Sequence, residues 1–476
     1  MARHVLRVAY GAMLDITSPA LYAADARVKP SSSIGHVAVA SFVGTAIEWY
    51  DFFLYGTAAA LVFNKLFFPT YDPLVGTVLS FATFAVGFVA RPVGGVVFGH
   101  FGDRLGRKAM LSLTLLIMGV ATFAIGLLPT YAQIGVYAPI LLVTLRLVQG
   151  FGLGGEWGGA VLMAIEHAPP GRRGFYGSWP QTGAPAGLLL STGVFALVSR
   201  LPADAFQAWG WRVPFLASVA LVGVGTLIRV RLAESPAFTR AGDETRAPRL
   251  PVVEVLRHHR RSVLLSMGAR LAENAFFYVY TTFVLAYATE QLRVAKQTVL
   301  AGVLLAAGLD LLAIPFFGWL SDRLGRRPVY LFGAAFSALF VVPFFLLVGT
   351  RSPDLIALAL VAGVSVGHAA MYGPQASFFS ELFGTRVRYS GASLGYQLAS
   401  VLAGGLSPLI AAALLHATHG AWWSVAAYMV VLAGVTLLSV YLAAETSHDA
   451  LEGSDDAGAP LMLRRNNDVD SPRSAP

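Results

Sequence analysis

The sequence predicts an all-α integral membrane protein of about twelve spanning helices in two six-helix halves. Three observations carry this. Hydrophobic residues make up 56% of the chain and charged ones only 13%, where a soluble domain carries roughly a quarter. Long runs without Asp, Glu or Lys recur from one end to the other. A ten-residue glycine- and arginine-rich motif occurs twice, near the middle of each half.

The composition excludes most other classes. A globule of 476 residues with mean hydropathy +0.64 has too little interior to hide so much apolar surface from water. Disorder needs low hydrophobicity and high charge. The absence of cysteine removes disulfides, cysteine-ligated metals and thiol nucleophiles.

The spans follow from the uncharged runs. Gly174–Arg200, Val329–Thr350, Leu355–Ser380, Tyr389–Leu415 and Gly420–Ala444 are each long enough to cross a bilayer, which takes about 20 apolar residues. Leu111–Leu145 is longer, and Pro129, Tyr131, Gln133 and Gly135 predict a hairpin within it. Further spans are expected at 36–63, 73–99, 138–165, 211–230, 262–289 and 298–318. A single such run could be a buried core helix; a dozen in series read as membrane. No cleavable signal peptide is evident, because the stretch Val8–Leu14 is short and meets Asp15.

Loop charge predicts the orientation. The 100–108 loop, Arg172 and Arg173, the 229–261 segment, Arg323, Arg326 and Arg327, and Arg386 and Arg388 all fall on one side. The opposite connectors hold only Lys65, Arg200, Arg212, Arg293, Lys296 and Arg351. Cytoplasmic loops carry the excess. The basic side and both termini are therefore expected in the cytoplasm of an inner-membrane protein. The net charge of +8 then reports topology, and nothing is left to suggest nucleic-acid binding.

The repeated motif divides the chain. GHFGDRLGRK at 99–108 returns as GWLSDRLGRR at 318–327, so Asp103 corresponds to Asp322, Arg104 to Arg323 and Arg107 to Arg326. The expected layout is an N-terminal tail (1–34), a six-helix bundle (35–232), a basic linker (233–260), a second bundle (261–445) and a disordered tail (446–476). Repeated halves suit a transporter whose midplane site lies between bundles that rock against each other.

The doubled loop resembles the signature of the major facilitator superfamily. TAIEWYDFFLYG (45–56), FVARPVGGVVFGHFGDRLGRK (88–108), RLVQGFGLGGEWGGA (146–160) and SELFGTRVRYSGASLGYQ (380–397) resemble its metabolite:proton symporters. That group carries shikimate, 2-oxoglutarate, citrate, proline or betaine, and the first half is nearest in texture to the shikimate carriers. The resemblance spans about residues 35–445. It implies the twelve-helix fold and proton-coupled import of a small organic acid by alternating access. Import of a zwitterion, antiport of drugs or metabolites, and uncoupled facilitation are the other readings. The resemblance also implies a cytoplasmic gate built from Asp103, Arg104, Arg107, Asp322, Arg323 and Arg326 with Glu166 and Glu381.

Ionisable residues inside spans cost at least about 2.5–3.5 kcal/mol at mid-bilayer and are functional candidates by default. Glu48 and Asp51 share one face of span one at i and i+3. In the family arrangement span four lies beside span one, so Arg146 can meet Asp51, and this set is expected to couple protons. Arg270 and Glu273 repeat the i, i+3 spacing in span seven. With Asn274, Gln149, Tyr278, His368, Tyr372, Gln375 and Tyr396 they form the expected substrate site, since Arg forks a carboxylate and Tyr or Gln donates to hydroxyls. Arg91 and Asp310 occupy equivalent repeat positions and are expected to serve the gate or to pair between helices. GFGLGG at 150–155 satisfies a dinucleotide fingerprint, but it lies inside a span, where glycines pack helices. No Walker loop, H-E-x-x-H or nucleophile elbow appears. The chain is expected to be a monomeric transporter in the lipid bilayer, not an enzyme, with no cofactor or metal.

Overall fold

The computed structural model describes residues 34–70, 73–105, 107–198, 200–230, 251–384 and 387–447. Among these, all regular structure is helical. Twelve long elements run in order. α1 is Ile34–Ala58, prolonged by a wide π-turn segment Ala59–Phe63 and by Asn64–Leu66. α2 is Pro73–Leu105, α3 Arg107–Leu127, α4 Tyr137–Glu166, α5 Arg173–Val198 and α6 Arg212–Val230. α7 starts as Arg260–Tyr278 and continues through the π segment Val279–Phe283. α8 is Lys296–Leu324 and α9 Arg326–Gly349. α10 joins Pro353–Val361, the π segment Ala362–His368 and Ala369–Glu381. α11 joins Arg388–Ala399, the π segment Ser400–Gly405 and Ser407–Ala417, and α12 is Trp423–Leu442.

Nine of these pass a simple test of length and apolarity for crossing a membrane. The three that do not are α1, α5 and α7. They carry buried polar side chains: Glu48 and Asp51 in α1, Gln181 and Thr182 in α5, Arg270, Glu273 and Asn274 in α7. The outer face is apolar, with Leu339 79% and Leu312 73% exposed, as lipid contact requires.

Packing obeys the repeat. α1 lies on α5 as α7 lies on α11, α2 on α4 as α8 on α10, and α3 on α6 as α9 on α12. The halves meet through two equivalent pairs, α2 with α11 and α8 with α5. Glycines allow the closest approaches. A Cβ at Gly150 would strike the Gly87 carbonyl, and one at Gly154 the Arg91 carbonyl, so the 150–155 run seats α4 on α2. A Cβ at Gly183 or Gly187 would run into α1 at Thr45 or Trp49.

Two boundaries differ from expectation. The linker contains a helix, Pro251–His258, whose Val255 is fully buried; residues 233–250 lie outside the described ones. Past 445, Thr446 and Ser447 are described, and 448–476 lie outside the described residues. Thr446 is buried and its hydroxyl donates to Glu381 at 2.6 Å, because the chain leaving α12 turns onto the end of α10.

Candidate functional site

On the basic face, Asp322, Arg326, Glu166 and Glu381 enter contacts that join the two halves. Asp322 ends α8, and its carboxylate accepts the backbone N–H groups of Gly174 and Phe175 at 2.7 and 2.8 Å. Those groups open α5 in the other half, where a helix N-terminus favours an anion. Arg326 donates to the same Asp322 at 2.7 Å and forks Glu381 at 3.2 Å through both Nε and Nη2. Glu381 also faces Arg173 at 3.9 Å, and Glu166 faces Arg388 at 3.7 Å. Each glutamate thus pairs across the halves with the arginine that follows the other one. Ser377 donates to the Arg173 carbonyl at 2.6 Å on the same face, and Gln397 to the Gly154 carbonyl at 3.0 Å deeper between the halves.

Glu445, just past α12, caps α9. Partial burial opposes its ionisation, but the N–H donors of Arg326 and Arg327 at 2.8 and 2.9 Å outweigh this. They hold its carboxyl below the usual carboxylate range.

Three gate expectations are corrected. Arg323 is exposed, lies over the Trp319 ring at 4.1 Å and takes no part in the ion pairs above. Arg91 and Asp310 both sit in the interior, more than two helical turns before the ends of α2 and α8. The side chains of Asp103, Arg104 and Arg107 lie outside the described residues.

The interior holds two polar groups. In the second half, Arg270 donates through Nη1 to Glu273 Oε2 at 2.7 Å and to Gln375 Oε1 at 2.5 Å. Gln375 returns Nε2 to Glu273 at 3.0 Å and to the Tyr330 hydroxyl at 2.7 Å, and Arg270 Nε reaches Ser400 at 3.3 Å. The guanidinium lies 3.3 Å above the Tyr396 ring, which stacks on Trp157 at 3.7 Å. Tyr372 and Tyr396 share a hydroxyl contact at 3.4 Å. His368 stands between two carboxylates, Nε2 3.2 Å from Glu273 and Nδ1 3.3 Å from Asp310. Asp310 therefore belongs to this cluster. π segments begin or end at His368 and Ser400, and such wide turns often re-aim side chains at functional sites.

In the first half, Arg146 does not pair with Asp51. Its Nη1 goes to Gln149 at 3.1 Å, whose Nε2 goes on to Thr122 at 2.6 Å. Its guanidinium lies over the rings of Tyr55, Phe52 and Phe84 at 4.2, 4.6 and 5.0 Å. Gly87 makes the slot, since a Cβ there would come within 2.6 Å of Arg146 Nε. Asp51 and Glu48 are fully buried. Neither Asp51 oxygen has a hydrogen-bond partner of ordinary geometry.

Between the halves a set of donors converges on Phe88. Arg91 lies 4.1 Å over its ring, Tyr278 meets it edge-on at 5.7 Å, and Gly404 and Gly405 of α11 press against it. Asn274 Nδ2 and the Tyr278 ring both border Gly404. Arg91 Nε and Nη2, Asn274 Nδ2 and the Tyr278 hydroxyl are buried without hydrogen-bond partners. Arg91 is within electrostatic reach of Tyr278, Tyr396, Arg270 and Tyr372. Sequence reasoning missed Phe88, Trp157, Tyr330 and Ser400, which look like ordinary span residues. Only Tyr330, a hydroxyl one turn into an apolar run, carried a signal.

The sequence matches the description Major Facilitator Superfamily over residues 41–406 and 311–467. The chain belongs to the major facilitator superfamily. It is 47% identical to the shikimate transporter of Escherichia coli (strain K12) over 395 residues, covering 82% of this chain and 90% of that one. It is 36% identical to the proline/betaine transporter of the same strain, covering 89% and 86%. Among solved structures it is similar to the proton:xylose symporter XylE bound to 6-bromo-6-deoxy-D-glucose, with TM-score 0.68, 16% identity and 88% and 98% coverage. The superfamily's twelve-helix fold, as read from the doubled loop, is the fold found. The protein is a multi-pass membrane transporter and not an enzyme.

Proposed function

We propose that the protein imports a small organic acid together with protons by alternating access, as a monomer with its basic face and termini in the cytoplasm. The observation that carries this reading is the donor set of Arg91, Asn274 and Tyr278, buried between the halves without acceptors. Buried donors are stabilised by an acceptor, and a planar guanidinium favours a carboxylate. The 47% identity to a shikimate transporter supports the same substrate class. A zwitterion such as betaine is supported less well, because aromatic rings able to hold an ammonium are occupied. Trp49, Phe52 and Phe88 face Arg91, and Phe52, Tyr55 and Phe84 face Arg146.

Asp51 is the first candidate for proton coupling, with Glu48 beside it. An uncompensated buried charge costs several kcal/mol, and a proton removes that cost. The test uses proteoliposomes with shikimate as the probe and 2-oxoglutarate, citrate, proline and betaine as alternatives. An inward proton gradient is expected to drive shikimate accumulation, and Asp51→Asn to lower its plateau while counterflow exchange continues. Accumulation against the opposite gradient would instead indicate antiport. Equilibration without concentration would indicate uncoupled facilitation.

A further inference from the structure

We infer that Glu273, His368 and Asp310 form a second proton-binding site, in the second half, loaded together with anion binding at Arg270. The inference rests on the proton-coupled anion import proposed above and adds to it a second carrier distinct from Asp51.

The argument starts from the imidazole. His368 is 2% exposed, and its two ring nitrogens each face a carboxylate, Glu273 at 3.2 Å and Asp310 at 3.3 Å. A neutral imidazole has one N–H and one lone pair. If Nε2–H serves Glu273, the Nδ1 lone pair meets the Asp310 oxygen with nothing between them. Two acceptors at that separation need a proton, on Nδ1 or on Asp310. Among the described residues no donor of ordinary geometry, His368 Nδ1 included, reaches either Asp310 oxygen, so the buried carboxylate stands uncompensated unless a proton is added.

The groups around this trio fix the charge. α7 contributes Arg270, α9 the Tyr330 hydroxyl, α10 Tyr372 and Gln375, α11 Tyr396, and α2 Arg91 within reach of Arg270. The rings of Phe277 and Tyr372 flank the imidazole at 4.8 and 4.9 Å and exclude water from its faces. With one added proton, Arg270 and His368 balance Glu273 and Asp310. Without it, Glu273 and Asp310 are two carboxylates against Arg270, the one arginine among the described residues in contact with the trio.

Coupling follows from the shared partner. Arg270 holds Glu273 through Nη1. A substrate carboxylate that draws Arg270 away takes that cation from Glu273. The proton on the His368–Asp310 pair then keeps Glu273 from standing as an uncompensated buried charge, which is strongly unfavourable. Anion and proton therefore bind together and leave together. The proton comes from water on the outer side, forms one N–H or O–H bond, and returns to water on the inner side; nothing is oxidised or reduced.

The test is the accumulation ratio of shikimate in proteoliposomes with the membrane potential clamped. Each coupled proton adds a factor of about ten per pH unit of gradient. Asp310→Asn is expected to lower the plateau about tenfold across one unit, with Asp310→Glu restoring it. His368→Gln gives an independent second reading of the same loss. A wild-type protein that concentrates shikimate, with a plateau unchanged by Asp310→Asn and by His368→Gln, would overturn this inference alone. A wild-type protein that does not concentrate shikimate under any gradient would overturn the import reading, and this inference with it.

Discussion

Asp322 accepts the backbone N–H of Gly174 at 2.7 Å, so the end of α8 caps the start of α5 across the two halves. The same carboxylate holds Arg326, which holds Glu381. One acidic residue thus joins a helix terminus, a cation and a second acid on the basic face. Asp322→Asn keeps the shape but removes the charge. Charged hydrogen bonds contribute about 1.5–3 kcal/mol each, so the closed population is expected to fall about tenfold or more. The chain has no cysteine, which makes Ser178→Cys a clean reporter: Ser178 is buried in α5 against Gly318. Faster labelling of it from the basic face by an impermeant maleimide is the expected result. Equal rates with and without Asp322→Asn would remove the latch role.

Arg91 offers Nε and Nη2 between the halves without a partner. Arg91→Lys keeps the charge but loses the planar fork that matches a carboxylate. Shikimate affinity, read from the thermal-shift midpoint, is expected to weaken about tenfold to a hundredfold, one or two bonds' worth. Ligand-free stability should change little by comparison. Undiminished affinity would move the substrate away from Phe88.

Much of this architecture was legible because the bilayer imposes one rule on every span. The polar interior was legible in part. Arg270 and Glu273 pair at the i, i+3 spacing read in span seven, and Gln375 and Tyr396 reach them from other helices, which spacing along one helix does not show. Asp310 matches Arg91 in the repeat, which suggests one role, gate or inter-helix pair, for both. A repeat equates backbone positions and not partners: Arg91 turns to aromatic rings at the interface, Asp310 to His368 inside its own half. Arg146 was expected on Asp51, but its long side chain enters the slot left by Gly87 and reaches Gln149. A side chain with that reach is not located by the face of the helix it leaves.

The glycine seam between α2 and α4 gives a stability test. Gly150→Leu drives a side chain into the Gly87 backbone, and backbone yields less than a rotamer. Overpacking costs about 1–3 kcal/mol, and here the upper end or more is expected. The measured outcome is a lowered unfolding temperature and loss of monodisperse protein in detergent. Gly223→Ala, where a Cβ meets nothing within 4 Å, is the matched control and should behave as wild type. Similar behaviour of the two variants would mean that the seam contributes nothing.

Glu445 sets a pH dependence whose sign follows from its donors. The N–H groups of Arg326 and Arg327 favour the charged carboxylate and hold its proton affinity below that of the unfolded chain. Its contribution is therefore complete above the ordinary carboxylate pKa of about 4.3 and fades as pH falls through the lower folded value. Glu445 is only partly buried, so solvent screening keeps the effect small. Glu445→Gln is expected to lower the unfolding temperature by about one or two degrees at neutral pH. The gap between variant and wild type should narrow as pH falls below the ordinary carboxylate range and close once the folded carboxyl is protonated, because both side chains are then uncharged. A gap that widens towards acid pH would show that the cap on α9 acts through something other than the carboxylate's charge.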